Sequence, residues 1–128
     1  MAQTAQGNDT LYRRLGGYDA LAKVTDDFIM AATTDSKLGR FFVGTSDNSK
    51  MRIRQLLVDQ LCAATGGPCV YIGRDMKTTH KGLGINEEDW QIAVNHLVNT
   101  LNKFEVNDRE QKELATLLTD LKPDIVEN

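Results

Sequence analysis

Apolar residues recur along much of this chain at three- and four-residue steps, the spacing that lays them on one face of an α-helix. From Tyr18 to about Thr33 the series is Leu21, Val24, Phe28 and Ala32. A second helical stretch runs from Met51 to about Ala64, where Gly66-Gly67-Pro68 stops it. Trp90, Val94, Leu97, Val98, Leu101 and Phe104 mark the face of a third, and Leu114, Leu117, Leu118, Leu121 and Ile125 that of a fourth. Asn86 with Asp89 is a plausible cap for the third, and Asn107 with Glu110 reads as the cleaner capping box for the fourth. Ahead of these, a short apolar piece around Leu11, Tyr12 and Leu15 is punctuated by Gly16-Gly17. Asp35 to Thr45 reads as a turn region carrying a buried pair, Phe41-Phe42, and Gly44 to Lys50 as a polar loop. Strand-like alternation is scarce, Pro68 to Ile72 being the nearest case, and there is no internal repeat. The pattern predicts an all-α fold with four substantial helices.

The breakers refine this picture. Five of the ten glycines, Gly66, Gly67, Gly73, Gly82 and Gly84, fall in one stretch, so the centre is irregular between two regular halves. On the helix from Met51, at about 100° per residue, Ile53, Leu56, Leu57, Gln60, Leu61 and Ala64 lie within about 140° of one another. Met51, Val58 and Cys62 form a second apolar group on the opposite side, with Arg52, Gln55 and Asp59 as a narrow polar stripe between. A helix apolar on two faces is sandwiched, here between two helices or between a helix layer and a ligand. Gln60 is the odd member of its face: either a core amide bonded to backbone, or a donor aimed at a ligand.

Composition narrows the class. The chain has 128 residues, the size of one domain, with 15 basic and 18 acidic residues for a net charge of −3. That balance lacks the clustered basic face of a nucleic-acid binder. No apolar run approaches the ~20 residues of a membrane span, and the first ten residues lack the apolar core of a secretory signal. A cytoplasmic location is expected. Residues 1–10 are expected to be a flexible tail and 11–128 a single domain. Cys62 and Cys69 make neither a disulfide framework nor a Cys-x-x-Cys metal pair, and sequence leaves their pairing open. Cys62 reads as core packing and Cys69 as an exposed thiol.

Two histidines limit any metal site. His96 lies well off the centre of its helix face and reads as an edge or solvated residue. Met76, Thr79, His80 and Leu83 share one helical face, so His80 points inward from one or two turns of helix that Gly82 and Gly84 end abruptly. Taken alone, an inward histidine is more often structural than a ligand.

Together these pieces have a familiar order. Leu11-Tyr12-Arg13-Arg14-Leu15-Gly16-Gly17, Asp27-Phe28, Phe41-Phe42-Val43-Gly44-Thr45, Gly66-Gly67-Pro68, Tyr71-x-Gly73-Arg74-Asp75-Met76-Lys77 and His80-x-Gly82-Leu83-Gly84-Ile85 resemble group I truncated haemoglobins, from Leu11 to about Val126. The resemblance implies a truncated globin-like two-over-two helical sandwich around haem b. It implies that His80 is the proximal iron ligand, a normal role for neutral imidazole. Phe42 matches the phenylalanine packed on the porphyrin face. Ile53, Leu57 and Leu61 match distal-helix positions, and Tyr71, Met76, Ile85, Trp90 and Leu97 fall where the family lines the rest of the pocket. Lys77, one turn before His80, is placed to reach a haem propionate or to stay in solvent.

Three departures bear on function. Many family members have Tyr where this chain has Ile29, and Gln where it has Leu57. The stretch between Thr45 and Ile53 is also slightly longer than the family pattern. The usual tyrosine–glutamine pair that retains oxygen is therefore absent. Losing a donor worth roughly 1–3 kcal/mol loosens oxygen by about ten- to a hundredfold. Gln60 is the first substitute donor, Gln55 the second if the register slips, and Thr25, one turn before Ile29, the third. A more apolar pocket favours carbon monoxide or nitric oxide over tightly held oxygen.

The expected function is reversible binding of diatomic gas, with nitric oxide dioxygenation as a secondary activity. The chain carries no Rossmann glycine pattern, so such turnover needs an external reductase. A monomer or weak dimer is expected. Two competing readings are a helical histidine phosphotransfer module and a cofactor-free interaction module. The first wants a solvent-facing histidine on a long helix, and the second leaves the glycine-rich centre and the doubly apolar helix unexplained.

Overall fold

The computed structural model describes residues 10–127. Thr10 opens the first helix by accepting a 3.1 Å bond from the Arg13 N–H. The rest of the expected tail, residues 1–9, lies outside the described residues. The elements in chain order are α1 (Leu11–Leu15), α2 (Gly17–Thr34), a 3-10 turn (Leu38–Phe42), α3 (Asp47–Ala64), α4 (Met76–His80), α5 (Glu87–Lys103), α6 (Asp108–Thr119) and α7 (Lys122–Ile125). No strand occurs among the described residues, and 68–72 is irregular. The fold is all-α, and its four long helices α2, α3, α5 and α6 are those the apolar spacing predicts.

Their apolar faces meet in one cluster. Leu11, Leu21, Val24, Leu61, Cys62, Leu101 and Leu114, from α1, α2, α3, α5 and α6, are all buried together. At roughly 1.5–3 kcal/mol per fully buried aliphatic side chain, this cluster is the main source of stability. α2 is the hub, packing on α1, α3, α5 and the 3-10 turn, while α1 also packs on α6. Gly67 brings the end of α3 close to α1: a Cβ there would stand 2.5 Å from the Tyr12 ring and 2.7 Å from Cys62 Sγ. Cys62 is bonded to Cys69 with a Cα separation of 5.7 Å, so the expectation of an exposed thiol at Cys69 is replaced by a disulfide across the Gly66-Gly67-Pro68 turn.

Several expectations change for identifiable reasons. Gly44–Lys50 is loop only as far as Ser46, whose hydroxyl accepts from the Ser49 N–H at 3.1 Å and starts α3 early. Asn86 and Asp89 form a reciprocal capping box on α5. Asn107 makes no such side-chain bond, because Glu110 is buried and turned to Arg14 at 2.8 Å. The fourth helix breaks at Asp120–Leu121, since Pro123 has no N–H and its ring clashes with the carbonyl of Thr119; α7 restarts with Pro123 in its first turn. Phe41 and Phe42 are half-buried rather than buried, and the Arg40 guanidinium lies 4.2 Å over the Phe41 ring. On α3, Val58 and Cys62 are buried as the second apolar face requires, but Met51, in the first turns of the helix, is exposed. Val98 and Phe104 lie at the exposed margin of the α5 face.

Candidate functional site

The proximal side is built on very little helix. α4 is a single turn, started by Asp75, whose carboxylate accepts from the Thr78 N–H at 2.8 Å. Hydrogen bonds from the Thr78 hydroxyl first and the Thr78 N–H second hold the Asp75 carboxyl below the usual carboxylate range. His80 ends that turn, half-buried. Its Nδ1 lies 2.9 Å from the Met76 carbonyl oxygen. A carbonyl only accepts, so Nδ1 carries the hydrogen and the neutral ring keeps its lone pair on Nε2. That is the tautomer an imidazole needs in order to ligate a metal, with the other nitrogen oriented by a backbone acceptor.

The turn after His80 is just as specific. Leu83 N–H donates back to the His80 carbonyl at 3.2 Å. Gly82 and Gly84 have φ of +83° and +74°, the left-handed region that glycine enters without penalty. Their N–H groups donate to the two carboxylate oxygens of Glu127 at 2.8 and 2.7 Å. The Gly82 bond first and the Gly84 bond second hold the Glu127 carboxyl below its ordinary value. An acidic residue near the end of a chain reads in sequence as a solvated charge, and nothing in the pattern singled it out.

The remaining predicted pocket residues are apolar but incompletely covered by protein. Phe42 at the end of the 3-10 turn, Leu57 on α3, Tyr71 before α4, Met76 on α4, Ile85 after it, and Trp90 and Leu97 on α5 are all half-buried. Ile53 on the outer turn of α3 is 38% exposed, Leu61 is buried in the core cluster, and Lys77 is exposed. Tyr71 folds back over Gly73 and donates to the Arg74 carbonyl. Trp90 and Leu97, with Val94 and Leu118, line a cavity of about 60 Å³ between α5 and α6.

The distal candidates separate clearly. The Gln55 amide is engaged, donating to Tyr18 Oη at 2.8 Å and Asp59 Oδ1 at 3.2 Å while accepting from Arg54. Thr25 is fully buried, and its hydroxyl has no hydrogen-bond partner among the described residues. Gln60 and Ile29 are half-buried. Gln60 shares its side of α3 with Ile53 and Leu57, away from the buried Val58 and Cys62. His96 stands apart from the site, its Nε2 2.7 Å from Asp35 Oδ2, as its edge position predicts.

These residues suit one kind of metal group. Among the described residues no three His, Cys, Asp or Glu side chains converge to hold a bare ion. A lone imidazole nitrogen beside half-covered aromatic and aliphatic side chains fits instead a metal that arrives with its own planar ligands. A family model for a bacterial-like globin matches residues 10–127. A group 1 truncated hemoglobin of Mycolicibacterium paratuberculosis is 33% identical over 116 residues, covering 91% of this chain and 83% of that protein.

The chain is a group I truncated haemoglobin.

Another member, from Nostoc sp., is 33% identical over 113 residues, covering 88% of this chain and 93% of its own. Among solved structures, truncated hemoglobin from Tetrahymena pyriformis in the Fe(III) form superposes with a TM-score of 0.86 at 25% identity, covering 94% of this chain and all of that one. The 2/2 hemoglobin from Synechococcus sp., solved in the cyanomet state with covalently attached heme, gives 0.83 at 25% identity over 93% of this chain and 99% of its own. The architecture of this truncated haemoglobin is accordingly two-over-two. Phosphotransfer and cofactor-free interaction fall away as readings.

Proposed function

We propose that this globin binds haem b through His80 and reversibly binds a diatomic gas at the opposite face of the iron. The observation that carries this reading is the His80 Nδ1–Met76 carbonyl bond, which in the neutral imidazole puts the lone pair on Nε2. The haem supplies an iron with an open coordination position for oxygen, carbon monoxide or nitric oxide. The protein's part is to hold and exclude. Phe42, Met76, Ile85, Trp90 and Leu97 supply apolar area that keeps water from the macrocycle, and Ile53 and Leu57 line the gas side. Lys77 is exposed one turn before His80, where its ammonium would be free to pair with a haem propionate.

With Ile29 and Leu57 the gas side lacks the usual tyrosine–glutamine pair, so the pocket discriminates weakly in favour of oxygen. Gln60 is the donor we favour on that side, because it is half-buried and shares its face of α3 with Leu57. Thr25 is enclosed by protein, and its hydroxyl reaches the gas only if α2 shifts. Nitric oxide dioxygenation is the secondary activity, converting oxygen and nitric oxide to nitrate, with an external reductase returning the iron to the ferrous state. The protein is expected to act in the cytoplasm as a monomer or weak dimer.

Absorption spectra test the reading: haemin titrated into wild type and His80→Ala, ferric, then reduced with dithionite, then under carbon monoxide. A stoichiometric Soret band, a carbon monoxide shift, and loss of the normal spectrum in His80→Ala are expected. Weak, non-saturable association that the substitution leaves unchanged would overturn it.

A further inference from the structure

We infer that Glu127 is a positioning residue for His80: its carboxylate fixes the turn that follows the histidine, and through that turn the direction of the Nε2 lone pair. The inference rests on the reading of His80 as the haem ligand.

The argument starts from how little supports the histidine. A single helical turn does not hold itself together in water, because fixing its dihedrals costs more than its one or two hydrogen bonds return. α4 is five residues long, and only its start has a side-chain cap within the segment, at Asp75. His80 sits at the other end, where Lys81 already has extended backbone (φ −62°, ψ 131°). The next turn contains Gly82 and Gly84, the residue type that loses most conformational freedom on ordering. Left alone, that end would be the loosest part of the site.

Glu127 supplies what is missing. One carboxylate oxygen accepts from Gly82 N–H and the other from Gly84 N–H. The backbone N–H of Glu127 donates to the Ile85 carbonyl at 2.9 Å. Three bonds from one residue thus span the whole turn from Gly82 to Ile85. Two of them are charge-assisted, the stronger class. Glu127 is itself anchored, since α7 packs on α4 and Lys122 reaches Glu87 at the start of α5 at 2.7 Å. The Met76 carbonyl therefore orients His80 from its own helix, and Glu127 holds the backbone behind it. Only a carboxylate meets both donors, for an amide offers one oxygen and sets its NH₂ against the second N–H.

The test uses wild type and Glu127→Gln, each with and without haem. In the haem-free proteins, amide hydrogen exchange is followed at Gly82 and Gly84. In the loaded proteins, the ferrous iron–histidine stretching band is recorded by resonance Raman, and haem transfer to excess apomyoglobin is timed. Thermal unfolding of both is measured alongside. We expect faster exchange at both glycines, a shifted or broadened iron–histidine band, and haem loss about tenfold faster, the range found when partners behind a metal ligand are removed. Glu127→Asp, which keeps two acceptors on a shorter arm, should recover part of the band position. An iron–histidine band and haem-loss rate equal to wild type would overturn the inference, as would a lowered melting temperature with the band unmoved. If wild type itself takes up no haem through His80, the functional reading falls with it; a normal wild type beside an unaltered Glu127→Gln removes this inference alone.

Discussion

The two sides of this molecule are stabilised by different means. Where α1, α2, α3, α5 and α6 converge, seven side chains from five helices close over one another and little else is needed. Around His80, one helical turn, two left-handed glycines and a run of half-covered apolar residues are held by backbone hydrogen bonds to Asp75, Met76 and Glu127. The first region draws its free energy from burial that is complete before any ligand arrives. The second has apolar area still to bury, and a planar ligand is what would bury it. Stability and ligand retention should therefore respond to different substitutions.

The sharpest way to break that contrast is to damage the closed side. Leu114→Ala removes a side chain that is 1% exposed, and should cost about 2–5 kcal/mol in urea unfolding of the haem-free protein. Met76→Ala, on the half-covered side, should cost much less there and show its effect in faster haem loss. Equal losses of haem-free stability in the two variants would erase the distinction.

The disulfide lies between the regions, tying the end of α3 to the segment that leads towards α4. A short loop closed by a disulfide restricts the unfolded chain by roughly 2 kcal/mol, so Cys69→Ser or reduction should lower stability by about that amount. Unfolding with and without reductant measures it.

A smaller effect is expected from Asp35, beyond the far end of α2. Its carboxylate accepts from Leu38 N–H, from His96 and from Lys37 N–H, in that order of importance, which lowers its pKa to about 2. A carboxylate whose folded pKa lies below its unfolded value of about 3.8 contributes stability that is fully present above that value and is lost as pH falls through the folded one. Wild type should therefore lose this contribution between about pH 4 and pH 2. Asp35→Asn should flatten that part of the acid limb in a pH series of thermal melts, and a parallel limb would exclude Asp35 as its source.

Much of this arrangement was legible in the residues, for reasons that also explain what was not. The long helices announce themselves because each lays several apolar side chains along one stripe, and the doubly apolar α3 follows from the same spacing. His80 could be read as inward because Met76 shares its face and the glycines end its helix. The start of α3 was hidden by Ser46, Asp47 and Asn48, polar residues that suit a loop as well as a first turn; only the Ser46 cap decides between them. Asn107 and Glu110 match a capping box in spacing, but Arg14, nearly the whole chain away, takes the glutamate. The disulfide and the Glu127 bonds are likewise set by distances that close only in the folded chain. Local pattern carries the helices, and long-range geometry carries the details of the proximal side.

The docking of α1 has a consequence for how the chain matures. Five residues of helix are unstable alone, and the partners of α1 lie far along the sequence: Tyr12 N–H donates to the Thr65 carbonyl, and Arg14 pairs with Glu110 and Glu113. On a ribosome α1 emerges well before Thr65, Glu110 and Glu113, so its docking is completed only after they are made. Until residue 113 has emerged, Leu11 has no finished core to enter. The earliest helix among the described residues is thus secured only after the segments that follow it.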